Sequence, residues 1–414
     1  MNATAARSPA ALLILLLATA CSFDLPTEPV GSQPPPTTAS GTAPTSASAT
    51  PTAHTTSALA TPKPSSPPKS RSATVVMNGD LLWHNTLWYG AREDARRLGQ
   101  QGRDAYDFRP LLSGIKPVVS EADVAICHEE VPFAPPGGPY RNYPRFAAPP
   151  EVAAAIKATG YDVCTTSSNH SLDDGFAGLR RTLDELDRSK VMHVGTYRSA
   201  KAARKPVVFT TRQGVKIAVV AATFSTNGIP SPEGKPWAVS RLSTDALLGQ
   251  ARWARVAGAD IVLAAIHAGT EYSATPNRQQ RQLATALTAS SAVDLVYMHH
   301  THTVQPWAKV NGKWVVYGLG NTVAQHDKTV LRAYEGVTAR FTFTSKADGR
   351  YEVSKAEYIP TLVTPYAPGR PARLLRISAA LKSADGARRE RLLSAQRRTA
   401  AVVTALDAPG LKQG

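Results

Sequence analysis

Three histidines fall within four positions in Met298-His299-His300-Thr301-His302-Thr303, directly after Val293 to Tyr297, an apolar run that reads as a strand. His300 and His302 alternate, so on an extended segment their imidazoles point the same way. Neutral imidazole is the commonest protein ligand for transition metals, so two on one face beside a third form a metal-ligand pattern. A solvated His-rich turn is the plain alternative, and the rest of the chain decides between them.

Comparable polar clusters stand at the ends of other apolar runs. Asn78-Gly79-Asp80 follows Thr74 to Met77, and His128-Glu129-Glu130 follows Ala122 to Cys127. Ser168-Asn169-His170 follows Tyr161 to Thr165, His267-Ala268-Gly269 follows Asp260 to Ile266, and Gly318-Leu319-Gly320-Asn321 follows Trp314 to Tyr317. Six of the ten histidines occupy such positions, which a scatter of surface histidines would not do. A two-metal hydrolytic site draws carboxylate, amide and imidazole ligands from several strand ends, so that two cations contact one reacting centre. Asp80, His128, Glu130, Asn169, His267, His300 and His302 supply that set. The mixture of oxygen and imidazole donors suits Mn, Fe or Zn, as one or two ions, better than Ca. His170, next to Asn169, is placed to protonate a leaving group as a general acid.

The elements that would position these residues alternate. Between the strands lie helical stretches at Asp94 to Leu98, Pro150 to Ala158, Gly175 to Asp187, Leu242 to Val256 and Arg278 to Ala289. Strand and helix in alternation predict an α/β domain with a largely buried sheet, whose ligands collect beyond the carboxyl ends of the strands. Val207 to Thr211 and Lys216 to Ala222 flank a Gln213-Gly214 turn and read as a hairpin. Beyond Asn321 the pattern becomes antiparallel: Gly336 to Thr344 and Tyr351 to Ile359 alternate around Asp348-Gly349. A helix over Arg388 to Leu406 carries Leu392, Ala395, Thr399, Val402 and Leu406 along one stripe.

The N-terminus is of another kind. Arg7, the short apolar core Ala10 to Ala18 and the small residues before Cys21 resemble a bacterial lipoprotein signal, in which the processed cysteine carries lipid; the plain alternative is an ordinary secretory signal cut nearby, and both export the protein. That run is too short to span a bilayer as a stable helix. Residues 21–72 are rich in Pro, Thr, Ser and Ala and cannot bury a core, so they read as a disordered tether from the membrane to the folded domain. The expected organisation is a signal at 1–20, the tether at 21–72, the site-bearing domain at 73–325 and a C-terminal hairpin and helix completing it at 326–414. The expected location is the extracytoplasmic face of the cell membrane.

The net charge is +16 with only 19% charged residues, an excess of Arg rather than dense charge. No basic run with interleaved aromatics stands out, so nucleic acid is not the expected partner; a polyanion or a phosphate-bearing substrate is compatible. The three cysteines include no C-x-x-C pair, so no thiolate zinc site is indicated. Cys127 and Cys164 each end an apolar run and read as two buried thiols, although an exported protein allows them to be joined.

Taken in order, the blocks Asn78-Gly79-Asp80, His128-Glu129-Glu130-Val131-Pro132, Ser168-Asn169-His170-Ser171-Leu172-Asp173-Asp174-Gly175, His267-Ala268-Gly269-Thr270-Glu271-Tyr272, His300-Thr301-His302 and Gly318-Leu319-Gly320-Asn321 resemble the CapA-type proteins of bacterial poly-γ-glutamate capsule synthesis. Those proteins are related to the calcineurin-like metallophosphoesterases. The resemblance runs from about Thr74 to Asn321 and implies a sandwich of mixed β-sheets flanked by helices. It makes Asp80, Asn169, His267, His300 and His302 metal ligands and His170 the general acid. Glu130 matches a Glu of the family. Glu271, Gln305 and Asn321 match as well and are expected to support the ligands, as a carboxylate does when it orients a ligand imidazole. His128 stands where the family usually has Asn and where metallophosphoesterases place a bridging Asp. Met298 replaces a Gly, Ser168 replaces an Asn, and Leu82 occupies the place of a phosphoesterase ligand His, with His84 two residues later.

Arg141 and Arg145 lie in the loop after Glu130, beside Tyr140 and Tyr143, where a cationic loop suits a polyanionic or phosphorylated substrate. The resemblance therefore implies a metal-dependent hydrolase or transferase acting on poly-γ-glutamate or a related envelope polymer, with membrane subunits of a polymer synthase as partners. Two other readings stand beside it. One is a non-catalytic polymer-binding or synthase assembly factor with a degenerate site, and the other is a general exported phosphoesterase.

Overall fold

The structure is a computed structural model that describes residues 70–100, 102 and 105–414. The expected signal segment, Cys21 and all but the last three residues of the expected tether lie outside the described residues. Fifteen strands form two sheets in the described part. The first sheet contains β1 (Ser72–Leu81), β2 (Val124–Glu129), β3 (Val163–Thr165) and β4 (Met192–Val194). The second contains β5 (Val208–Thr210), β6 (Lys216–Thr223), β7 (Ile261–His267), β8 (Leu295–His299), β9 (Val304–Val310) and β10 (Lys313–Leu319). The chain then returns to the first sheet through β11 (Asn321–Val323), β12 (Glu335–Ser345), β13 (Tyr351–Val363), β14 (Leu374–Arg376) and β15 (Leu411–Gln413).

The first sheet has the order β14-β13-β12-β1-β2-β3-β4, with β11 beside β1 and β15 beside β13; the second has the order β5-β6-β7-β8-β10-β9. Both sheets are mixed. β1 to β4 pair in parallel while β12 runs antiparallel to β1. β6, β7, β8 and β10 pair in parallel while β5 and β9 close the edges antiparallel. The expected α/β architecture of two mixed sheets flanked by helices is the one observed.

Side-chain alternation explains why the sheets stack. Successive strand residues point to opposite faces, and strands covered on both faces read as continuous apolar runs. In β1 and β2, Val75, Met77, Val124 and Ile126 point into the layer between the sheets. Leu263, Ala265, Leu295 and Tyr297 meet them there from the second sheet. The intervening residues Val76, Ala125 and Cys127 pack outward against helix residues such as Val152, Ile156 and Leu112. On the far side Val262, Ala264 and Ile266 pack against Leu247, Ala251, Leu283 and Leu287. The result is helix, sheet, sheet, helix, with the parallel strand ends of both sheets opening at one edge.

Several elements differ from their expected bounds. The first helix is Asn85–Arg97, longer than the Asp94 to Leu98 stretch, because Leu87, Trp88, Ala91 and Ala95 give it a buried face. The last helix is Gly386–Val403, and it buries Val403 with Leu392, Ala395 and Thr399 instead of Val402 and Leu406. Cys127 and Cys164 are joined by a disulfide, contrary to the reading of two free thiols. They are register partners on the neighbouring strands β2 and β3 with Cα atoms 4.5 Å apart, a proximity that sequence spacing does not reveal.

Candidate metal centre

Every polar cluster noted at a strand end converges on the open edge of the two sheets. Asp80 is fixed by a close approach of two chain segments. Gly79 lies so near Gly320 that a Cβ atom on it would sit 1.8 Å from the Gly320 carbonyl oxygen. The Asp80 N–H donates to that carbonyl at 3.1 Å, and Asp80 is the register partner of Asn321. β8 from the second sheet then brings His299, whose Nδ1 is 3.0 Å from Asp80 Oδ1. Asp80 Oδ2 accepts from the His300 backbone N–H at 3.3 Å and lies 3.2 Å from His302 Nδ1. His302 Nδ1 is also 2.9 Å from Asn321 Oδ1. Asn321 therefore orients a candidate ligand imidazole.

His300 and His302 do converge, but not by strand alternation. β8 ends at His299, and both residues are in the left-handed region, with φ of 86° for His300 and 52° for His302. Such a conformation costs a non-glycine residue roughly 1–2 kcal/mol. Four of the six described non-glycine residues with positive φ, Asn227, Tyr272, His300 and His302, stand around this edge. Strain concentrated there marks a place where the fold holds side chains in a required arrangement.

His128 and His267 form a chain of hydrogen bonds. His128 Nδ1 is 2.8 Å from Thr165 Oγ1, and His128 Nε2 is 2.9 Å from His267 Nδ1. His267 Nε2 is 2.7 Å from Asn169 Oδ1, and Asn169 Nδ2 donates to Asn227 Oδ1 at 3.2 Å. The His128 ring also stacks on His299, with centroids 4.1 Å apart.

Glu130 is the exception in this network. It is 1% exposed, and neither carboxylate oxygen accepts a hydrogen bond from the described residues. Its Oε1 lies 3.9 Å from His302 Nε2 and 3.9 Å from His267 Nε2. A buried carboxylate left without partners costs several kcal/mol, and a cation is the usual compensation. Two donors bound to one ion at about 2.1 Å each can be separated by this distance, so the residues fit a divalent metal. The His300 Nδ1 and His299 Nε2 atoms are likewise buried without a hydrogen-bond partner. Donor atoms of Asp80, Glu130 and His302 gather within 4.8 Å of one another, as do those of Glu271, His300 and His302, and those of Asp80, His128 and His299.

The electrostatics agree. Burial alone would raise the Asp80 carboxyl, but hydrogen bonds from His299 and His302 together outweigh it and hold it well below its ordinary value. Burial lifts the Glu130 carboxyl well above its ordinary value. Burial works against charge on His302, yet the Glu130 and Asp80 carboxylates outweigh it and push that imidazole up to about 10. This buried group thus holds a proton near neutral pH that a divalent cation would displace. Burial, reinforced by His299, keeps His128 well below the usual histidine range, and burial reinforced by His128 does the same for His267. Burial and the nearby His302 bring His300 to about 4, so it remains neutral.

Beside the cluster lies a cavity of about 340 Å³ whose lining includes Tyr143, Arg145, Asn169, His170, Asn227 and Glu271. His170 Nδ1 is 2.7 Å from Asp173 Oδ2, and that oxygen also accepts from the Phe146 N–H at 2.8 Å. The ring packs edge-on to Phe146 at 4.9 Å. With Nδ1 engaged, Nε2 is the nitrogen left to serve a substrate.

Arg141, a candidate substrate contact, lies in an ion pair, and Gln305 gives structural support without touching a ligand. Arg141 pairs with Asp174, which Arg181 also binds, so its charge is spent in an ion pair. Arg145 lines the cavity and donates to the Asp173 carbonyl at 3.0 Å. Gln305 touches no candidate ligand imidazole. Its Nε2 donates to the carbonyls of Ser273 and Thr275, and its Oε1 accepts from Gln280, so it fastens the loop carrying Glu271. Glu271 Oε1 lies 3.9 Å from His300 Nε2.

The sequence reasoning missed His299, Asn227 and His326. His299 ends a recognised strand in a run of histidines, which was the available signal. His326, 5.3 Å from His302 between ring centroids, and Asn227 lie in loops with no periodicity to place them.

This strand-end centre of imidazoles and carboxylates lies in a region shared with a known group of proteins. Residues 74–326 match the family described as bacterial capsule synthesis protein PGA_cap, and the chain belongs to that family. It is 30% identical to the PGA biosynthesis protein CapA of Bacillus subtilis over 205 residues, covering 49% of this chain and 53% of that protein. It is 30% identical to the capsule biosynthesis protein CapA of Bacillus anthracis over 182 residues, covering 43% of each. The chain thus spans about half the length of both relatives. Among solved structures, a calcineurin-like phosphoesterase of Bacillus subtilis is similar at 14% identity and a TM-score of 0.43, covering 80% of this chain and 97% of that one.

Proposed function

We propose that the protein is exported, held at the outer face of the membrane by a lipid on Cys21, and acts as a divalent-metal-dependent hydrolase or transferase on poly-γ-glutamate or a related anionic envelope polymer, alongside membrane subunits of the synthase. Membership of the capsule synthesis family supports the polymer, and the observation that carries the catalytic reading is the buried Glu130 carboxylate, without hydrogen-bond partners among converging imidazoles. Mn, Fe or Zn bound there would polarise the scissile group and lower the pKa of a bound water. The rest of the chemistry belongs to the chain. Asp173 holds His170 through Nδ1, so its other nitrogen delivers a proton to the leaving group from the cavity wall. Arg145, on the same wall, attracts a carboxylate of the polymer.

The test is to incubate the full chain with Mn2+ and poly-γ-glutamate and follow polymer length. The wild type should shorten or re-link the polymer. His170→Ala should keep its metal and lose roughly 10²–10⁴-fold in rate. Cys21→Ser should move the protein out of the membrane fraction. A wild-type protein that holds no metal and leaves the polymer unchanged would instead favour an assembly factor. That reading draws on His128, whose two ring nitrogens are both already hydrogen-bonded.

A further inference from the structure

We infer that this centre holds a single divalent cation, at the position shared by Asp80, Glu130 and His302, and that the hydrogen-bonded pair His128–His267 closes the second position that a two-metal centre would fill. The inference rests on the metal-dependent reading above and narrows it. A metal needs a ring nitrogen with a free lone pair. In His128 and His267 all four ring nitrogens are already paired. They form the line from Thr165 Oγ1 through His128 and His267 to Asn169 Oδ1, with separations of 2.8, 2.9 and 2.7 Å. The line is complete whichever way its protons run. With Asn169 accepting, each imidazole donates through Nε2 and Thr165 donates to His128. With the amide reversed, each donates through Nδ1 and Thr165 donates to the Cys127 carbonyl, 3.3 Å away. Opening this position to a cation would break two short buried hydrogen bonds, and a neutral imidazole at position 128 cannot bridge two ions as a carboxylate does.

The other position is the reverse case. Both Glu130 oxygens lack hydrogen-bond partners among the described residues, and His302 presents Nε2 to Glu130 while its Nδ1 is held by Asn321. The third donor group, Asp80–His128–His299, relies on His128, whose ring nitrogens are both engaged, while Asp80–Glu130–His302 and Glu271–His300–His302 both include His302. Only one nitrogen of that ring is uncommitted, so the two groups compete for one ion instead of holding two. His128 is therefore the residue that sets the metal count.

The full chain, stripped of metal, is loaded with excess Mn2+, desalted and analysed for bound metal, and its electron paramagnetic resonance spectrum is recorded. The expected result is one ion per chain with the hyperfine pattern of isolated Mn2+. Two ions per chain with the multiline pattern of a coupled pair overturns the inference while leaving the metal-dependent reading intact; no bound ion overturns both. His267→Ala should still hold one ion and Glu130→Gln none, whereas the opposite pattern places the ion in the other position and overturns the inference. His128→Asp removes the block and supplies a carboxylate that can bridge, so the count should rise to two. A count that stays at one in folded His128→Asp rejects His128 as the determinant.

Discussion

Gly79 and Gly320 are in direct backbone contact: a Cβ on Gly79 would fall 1.8 Å from the Gly320 carbonyl oxygen. This contact sets Asp80 beside Asn321, and with it the two partners that hold His302 Nδ1. Gly79→Ala must push the two segments apart. The expected cost is about 3 kcal/mol in denaturant unfolding, accompanied by loss of tightly bound metal. A variant with unchanged midpoint and metal content would show that the contact does not position Asp80.

Glu130→Gln should act oppositely on the metal-free and metal-loaded protein. In the metal-free protein the buried carboxyl is raised by burial, so at neutral pH it opposes folding, and the neutral amide should leave stability equal or higher. The stabilisation by metal, about 2.7 kcal/mol at a hundredfold excess over Kd, should vanish. Thermal unfolding with and without Mn2+ measures both. A variant that is destabilised without metal yet still stabilised by it would contradict this account of Glu130.

The metal-free protein should lose stability in mild acid. Burial and the nearby His302 lower His84 to about 4, and the same causes lower His326 to about 3. Burial also lowers His193. Each therefore binds a proton more readily unfolded than folded. Their contribution is fully present above the unfolded value near 6.5 and is lost as pH falls through the folded values. For His84 alone this amounts to about 3 kcal/mol. Urea unfolding at pH 7, 5.5 and 4.5 should show a progressive fall, and His84→Gln should flatten part of it. A midpoint independent of pH over that range would refute the assignment.

The Cys127–Cys164 bond closes a loop of 37 residues between two parallel strands. Chain-entropy reasoning gives it about 4 kcal/mol. Reduction, or Cys164→Ser, should lower the unfolding free energy by a few kcal/mol while leaving bound metal in place, since both cysteines pack into the helix-side core. Free thiols detected in the purified, unreduced protein would show that the bond does not form.

The sequence by itself determined the elements and their polarity. Alternation and apolar runs marked most central strands, and polar residues at each carboxyl end, from Asp80 to Asn321, announced a shared site, because parallel strands of one sheet end at one edge. Asp80, Asn321 and His302, each singled out in the sequence, meet in the fold. What the sequence could not decide was contact across elements. His299 reaches Asp80 over 219 positions because two sheets stack at one register, and no local period encodes that register. His300 and His302 converge through left-handed backbone instead of a shared strand face. Arg141 is drawn into an ion pair with Asp174, and Cys127 meets Cys164 across neighbouring strands. Above all, only packing could show that His128 and His267 consume each other's nitrogens while Glu130 is left bare. Hydrogen-bond satisfaction is a property of the folded interior, set by distances of a few tenths of an ångström between residues far apart in the chain.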